Sequence, residues 1–272
     1  DAGGTAVGTE FQVNSFTNNF QGDQSIAALA DGGFVVAWDS HSQELGGTSG
    51  NSGVFGQRFD VSGTTPTAVG AEFQVNSETS SDQDDSAVSG LTGGGFVVVW
   101  NSFAQDGDGD GIFAQRFDSD GDPVGSEFQV NTETLFSQND PSIAGLADGG
   151  FVVTWTSDDQ DGDFEGVFGQ RFDAAGDQVG AEFQVNSETA EDQDDSEVAA
   201  LSDGGFVVAW ESHDQDGHYE GVFAQRFETT GTTPTAVGDE FQVNNSIAND
   251  QEEPQLIGLA DGRFAIAFET QG

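Results

Sequence analysis

The sequence predicts an all-β fold, a five-bladed β-propeller of four-stranded blades, on three observations. The pentapeptide Glu-Phe-Gln-Val-Asn occurs five times, with its phenylalanines at Phe11, Phe73, Phe128, Phe183 and Phe241. An apolar run starting at Phe34, Phe96, Phe151, Phe206 and Phe264 ends at Trp38, Trp100, Trp155, Trp210 and Phe268, and it keeps the same spacings of 62, 55, 55 and 58 residues. No segment carries the 3.6-residue apolar period of a helix. A unit of this length copied end to end signals a solenoid, a propeller or an array.

Residues 132–186 serve as the type unit. Ser142–Leu146 is a short run of small and branched residues, and Phe151–Trp155 follows it after Asp148-Gly149, a hairpin signal. An acidic, glycine-rich loop leads to Gly166–Phe172, and a turn at Asp173–Gly176 leads to Glu182–Asn186. Each unit therefore has four strands. Phe-Val-Val-x-Trp is apolar at nearly every position, so both faces of that strand are expected to be buried. Glu-Phe-Gln-Val-Asn alternates, as a half-exposed outer strand does. The first strand holds one tiny residue at a fixed place, Ala28, Gly90, Gly145, Ala200 and Gly258, which suits a crowded axis. Sheets covered on both faces by their neighbours make a radial propeller, whereas a linear stack would need polar caps that the terminal units lack.

The units run 15–76, 77–131, 132–186, 187–244, and 245–272 joined with 1–14, within one domain. The last blade, built from both ends of the chain, lacks its Gln-Arg-Phe strand, so nineteen strands stand where twenty are needed. An open strand slot invites addition from another chain or from a neighbouring repeat, and self-association is expected.

Composition narrows the partners. Five arginines, no lysine and 49 acids give a formal charge of −44. This argues against nucleic acid and anionic membrane as simple electrostatic partners, and it suits polyvalent cations or high salt. Cysteine is absent, and no apolar run reaches the ~18 residues of a membrane span. With Asp1 first and no methionine, the chain reads as processed or excerpted. Phenylalanines at repeated places, 24 in all, oppose disorder.

The loop after each tryptophan is the main ligand signal. It carries Asp106, Asp108 and Asp110 in the second unit, Asp161, Asp163 and Glu165 in the third, and Asp214, Asp216 and Glu220 in the fourth. Alternating oxygen donors with glycines between them can wrap Ca²⁺, the expected cofactor. The twelfth position from Asp106 is Phe117, not the closing glutamate of an EF-hand, so these are partial loops. A solvated acidic hairpin is the alternative. The first unit has only Glu44 between Gln43 and Gly53 and is not expected to bind. A second acidic series, Asp23, Asp85, Asp140, Asp195 and Glu253, precedes each first strand. It forms either a ring of carboxylates at one channel mouth or a set of structural groups that cap turns or meet Arg58, Arg116, Arg171 and Arg226. The structural role is the expectation. The histidines sit at no repeated place, Tyr219 is the only tyrosine, and no nucleophile motif exists, so no enzyme activity is expected.

The combined unit, from Glu-Phe-Gln-Val-Asn through Asp-Gly-Gly-Phe-Val-Val-x-Trp to Val-Phe-x-Gln-Arg-Phe-Asp, resembles repeats of large acidic secreted bacterial surface proteins that also carry calcium-binding RTX nonapeptides. The resemblance implies an extracellular or cell-surface, calcium-rich setting and an adhesive role. It assigns no catalytic residue, and this chain has no Gly-Gly-x-Gly-x-Asp nonapeptide. The expected function is a calcium-stabilised structural or adhesive module that assembles by strand donation. The alternative is a lectin-type propeller that binds glycans between blades through repeated aromatics and acids.

Overall fold

The computed structural model describes residue 3 and residues 8–44 and 50–271. Residues 45–49 of the first loop, and 1–2 and 4–7 of the segment expected to form an outer strand, lie outside the described residues. Every regular element among those described is a strand, and all pairing is antiparallel.

Four sheets follow the predicted unit. The first is β1 (Gln21–Ala28), β2 (Phe34–His41), β3 (Ser52–Asp60) and β4 (Thr67–Gln74), in that order. The second is β5 (Gln83–Gly90), β6 (Phe96–Phe103), β7 (Asp110–Phe117) and β8 (Pro123–Gln129). The third is β9 (Gln138–Gly145), β10 (Phe151–Asp158), β11 (Glu165–Phe172) and β12 (Phe183–Gln184). The fourth is β13 (Gln193–Ala200), β14 (Phe206–His213) and β15 (Glu220–Glu228), edged by β16 (Thr235–Ala236) and β17 (Phe241–Gln242). A fifth sheet holds β18 (Gln251–Gly258) and β19 (Phe264–Thr270) alone. The number nineteen recurs for a different reason. The Glu10–Asn14 segment is not a strand here, and the outer strand of the fourth sheet is split into two short pieces.

The central strands are buried on both faces, as their unbroken apolar sequence demands. Phe96 to Trp100, Phe206 to Trp210 and Trp155 are fully buried. Each core lies between consecutive sheets: Leu29, Val35 and Ala37 of the first pack with Val88, Val98 and Trp100 of the second. The same interface recurs between later sheets. First strands run side by side, β1 against β5, β5 against β9, β9 against β13 and β13 against β18. The tiny position sits at these crossings. A Cβ on Gly145 would lie 2.5 Å from the Gly90 carbonyl oxygen, and one on Gly90 or Gly258 would collide with the carbonyl of Ala28 or Ala200.

The series does not join its ends among the described residues. No comparable packing links β18 to β1. Residues 9–14 pair with neither β18 nor β19; instead Phe11 packs at a tilt against Phe59, with ring centroids 5.3 Å apart, and Val13 joins the Val36–Trp38 cluster.

Candidate functional site

The second acidic series defines the site. At each of Asp23, Asp85, Asp140, Asp195 and Glu253 the first strand carries a β-bulge. In the first sheet, Asp23 and Gln24 together oppose the single residue Trp38, and the other four sheets repeat the arrangement. All five residues adopt left-handed φ values between 46° and 56°. Aspartate accepts that conformation better than most residues, and a bulge re-aims the side chain it carries. Asp85, Asp140, Asp195 and Glu253 thereby line one cavity of about 160 Å³ with Glu197 and Ser142. First strands of four sheets contribute to that single space.

Asp85, Asp140, Asp195 and Glu197 hold protons unusually well. Burial, with help from the Asp195, Asp85 and Asp110 charges, pushes Asp140 up to about 6. Burial likewise raises Asp85, Asp195 and Glu197, the last of which accepts a 3.0 Å bond from the Ser142 hydroxyl. Behind them stands a deeper layer. Asp39, after Trp38, accepts the Asp85 N–H at 2.9 Å, and Glu211, after Trp210, accepts the Glu253 N–H at 2.5 Å. Asn101 holds the equivalent place in the second sheet and donates to Asp85 at 2.8 Å. Burial lifts Asp39 and Glu211 each to about 8, and it lifts Asp194, beside Asp195 and Glu211, to about 9. Carboxylate oxygens of Asp23, Asp39 and Asp85 lie within 4.8 Å of one another, as do those of Asp194, Asp195 and Glu211. Either trio has the hard-oxygen chemistry that suits Ca²⁺. One Asp39 oxygen is buried without a hydrogen-bond partner.

The arginines do not meet this series. They sit at the other end of each sheet, where Arg58 pairs with Asp31 at 3.1 Å, Arg171 with Asp148 at 2.5 Å and Arg226 with Asp203 at 2.5 Å. The second hairpin has Gly93 in place of the aspartate, and Arg116 instead donates to the carbonyls of Ala174 and Ala175 in the next sheet. Arg171 also reaches across, to Gly231 at 3.2 Å. Of the two structural roles expected for the acidic series, arginine pairing does not occur among the described residues, and Asp85, Asp140, Asp195 and Glu253 instead form a row of carboxylates backed by other acids.

The nine loop acids divide by role. Asp106, Asp161 and Asp216 turn inward over Gly111, Gly166 and Gly221. There they accept from the glutamine and asparagine of the Gln-Val-Asn strand: Gln129 and Asn131, Gln184 and Asn186, Gln242 and Asn244. Glu44 does the same in the first unit, with Gln74 at 2.7 Å and Asn76 at 2.6 Å, its longer arm filling the space over Gly53. Asp108 accepts the Phe136 N–H at 3.2 Å, the Asp110 N–H donates to the Ser137 hydroxyl oxygen at 3.3 Å, and the Asp163 N–H donates to Asp161. The Asp214 N–H bonds the Tyr219 carbonyl, and burial raises Glu220. Glu165 is pushed up to about 7 by burial and by Asp192, Asp158 and Asp140. It lines an open groove of about 340 Å³ with Asp158, Asp159, Asp192 and two exposed aromatics, Phe136 and Phe164. Sequence reading passed over these phenylalanines because they lie outside the repeated anchors. Their signal was an apolar ring within an acidic loop.

No protein-family profile matches the chain, and no curated protein sequence does. Solved structures do. A Penicillium chrysogenum α-L-arabinanase complexed with arabinobiose aligns at a TM-score of 0.61 and 13% identity, over 92% of this chain and 75% of that one. The GH93 α-L-arabinofuranosidase of Fusarium graminearum with arabinobiose gives 0.60 and 12%, over 90% and 73%. A Hadza microbial sialidase gives 0.56 and 13%, covering 91% of this chain but only 52% of its own. These likenesses correct the expectation of a non-enzyme. It rested on the absence of serine, histidine and tyrosine nucleophiles, whereas glycoside hydrolysis needs only two carboxyl groups of different proton affinity. In fold, the chain is a β-propeller-like series of antiparallel sheets, and at 12–13% identity its likeness to these structures is one of fold.

Proposed function

We propose that this chain is a carbohydrate-active propeller that binds a glycan across its acidic face and hydrolyses a glycosidic bond at the central carboxylates. The observation that carries the reading is the convergence of Asp85, Asp140, Asp195, Glu197 and Glu253 in one cavity, on the face that also bears the Phe136–Phe164 groove. A sugar ring presents C–H faces to aromatic side chains and hydroxyls to carboxylates, and the groove offers both. Glu197 is the proton donor in this scheme, because burial raises its carboxyl above the usual range and the Ser142 hydroxyl orients it. The fold shared with two arabinobiose complexes supports this over the adhesive reading and makes arabinan the first substrate to try. Cation binding at the Asp23–Asp39–Asp85 trio and in the loops belongs to the same proposal, as support for the acidic face. The closed five-blade ring, with a last blade shared by both chain ends, is not retained, since residues 9–14 lie on the first sheet.

The test measures arabinan and other polysaccharides by affinity electrophoresis and by release of reducing ends. Phe164→Ala, at an exposed position, should weaken binding, and Glu197→Gln should abolish release while leaving binding in place. Binding with no turnover by the parent chain would reduce the reading to a lectin. Neither binding nor turnover across a polysaccharide panel would remove it.

A further inference from the structure

The two ends of the sheet series carry faces that the interior sheets bury. Ile26 on β1 is 67% exposed, whereas its repeat equivalent Val88 is 7% exposed against the preceding sheet. Ile257 on β18 is 59% exposed, whereas its equivalent Ala199 is 8% exposed against the following sheet. Below Ile26, Val13, Val36 and Trp38 line an apolar hollow of about 290 Å³. Beside Ile257, Leu256, Ala265, Ile266 and Ala267 line another of about 330 Å³. The first face lacks a preceding sheet and the second a following one.

A polar latch stops at the same two places. Glu72, Glu127, Glu182 and Glu240 each reach back to the residue after the previous unit's Asn, namely Ser15, Ser77, Thr132 and Ser187, with bonds of 2.6 to 3.0 Å. Among the described residues, Glu10 and Asn245 are the members of this series with no such partner. The position of residues 9–14 explains the match. Phe11 lies on Phe59 at 5.3 Å just as Phe73, on the outer strand of the first sheet, lies on Phe117 of the second at 5.2 Å. Residues 9–14 thus stand where the outer strand of a preceding blade would stand, and β18–β19 supplies the inner strands such a blade needs.

We propose that the fifth sheet of one chain docks on the first sheet of a second copy, Ile257, Ala265 and Ala267 against Ile26, Val36 and Trp38, with Glu10 of the second copy bonding Asn245 of the first. The occupant is named by continuity. Both surfaces are the two halves of an interface this chain already builds four times. The contact is head to tail, so it propagates or closes into a larger ring. A charge of −44 per chain opposes it, and raising salt from 0.1 to 1 M shortens the screening length from ~10 to ~3 Å, so association strengthens with salt.

The chain has no cysteine, which gives a clean assay. Ile26→Cys in one batch and Ile257→Cys in another are mixed in 1 M NaCl and oxidised, with sedimentation in parallel. The expected result is a crosslink between the two variants that neither forms alone to the same extent. Ile26→Asp, at an exposed site, should weaken association at least about tenfold without lowering the melting temperature. A chain that stays monomeric at high salt would overturn the proposal. So would oligomers indifferent to Ile26→Asp, or a double variant that crosslinks only within itself, which would mean ring closure in one chain.

Discussion

Asp39→Asn separates the charge of the acidic face from its shape. Asp39 is 3% exposed; one of its oxygens accepts the Asp85 N–H, and burial raises its carboxyl from 3.8 to about 8. A folded-state pKa above the unfolded one means that the native chain holds this proton more tightly. The stabilisation is complete below about pH 4 and is lost as pH rises through about 8. A gap from 3.8 to about 8 is worth on the order of 5 kcal/mol at ~1.4 kcal/mol per unit. Asparagine keeps the acceptor for the Asp85 amide and removes the ionisation, and Asn101 fills the same place in the second sheet. In chelator, parent and variant should therefore melt together near pH 4, and the variant should melt higher at pH 9. At ~2–4 °C per kcal/mol, the difference at pH 9 is on the order of 10 °C. Asp194 and Glu211 add to the parent's alkaline loss with the same sign. Two melting profiles that stay parallel from pH 4 to 9 would refute the argument, because they would mean that Asp39 ionises in the folded chain at no cost.

Trp155→Ala should cost ~3–5 kcal/mol in denaturant unfolding, since the ring is fully buried between sheets. Trp155→Phe should cost far less, because the buried indole N–H it removes has no partner. Millimolar Ca²⁺ should raise the melting temperature at neutral pH; Asp23→Asn should diminish that rise more than Asp108→Asn, and equal effects would deny the channel trio a special role. Glu44→Ala removes a buried carboxylate that accepts from Gln74 and Asn76 and empties the space over Gly53, and should destabilise by ~1–3 kcal/mol, where a solvated loop acid would cost nothing measurable.

Repetition made much of this molecule legible. Phe-Val-Val-x-Trp named the doubly buried strand, Asp-Gly-Gly the hairpin, and the Ala/Gly position the crossing of first strands, because local periodicity and steric room are properties of neighbouring residues. The same logic marked Asp23, Asp85, Asp140, Asp195 and Glu253 as a set. It could not say which way they point. The bulge opposite each tryptophan decides that, and a bulge arises from pairing between strands, not from the pattern of either. The loop acids show the converse limit: Asp106 and Glu44 share one role across different sequence offsets, visible only where a glycine leaves room for a carboxylate of either length. The sequence by itself determined the number of units, the strands within them and the surplus of negative charge. The tertiary structure alone decided which carboxylates share a cavity, where the arginines go and that the described sheets do not join end to end, because each depends on distances between units, and a repeat specifies its units without specifying how far the last one turns from the first.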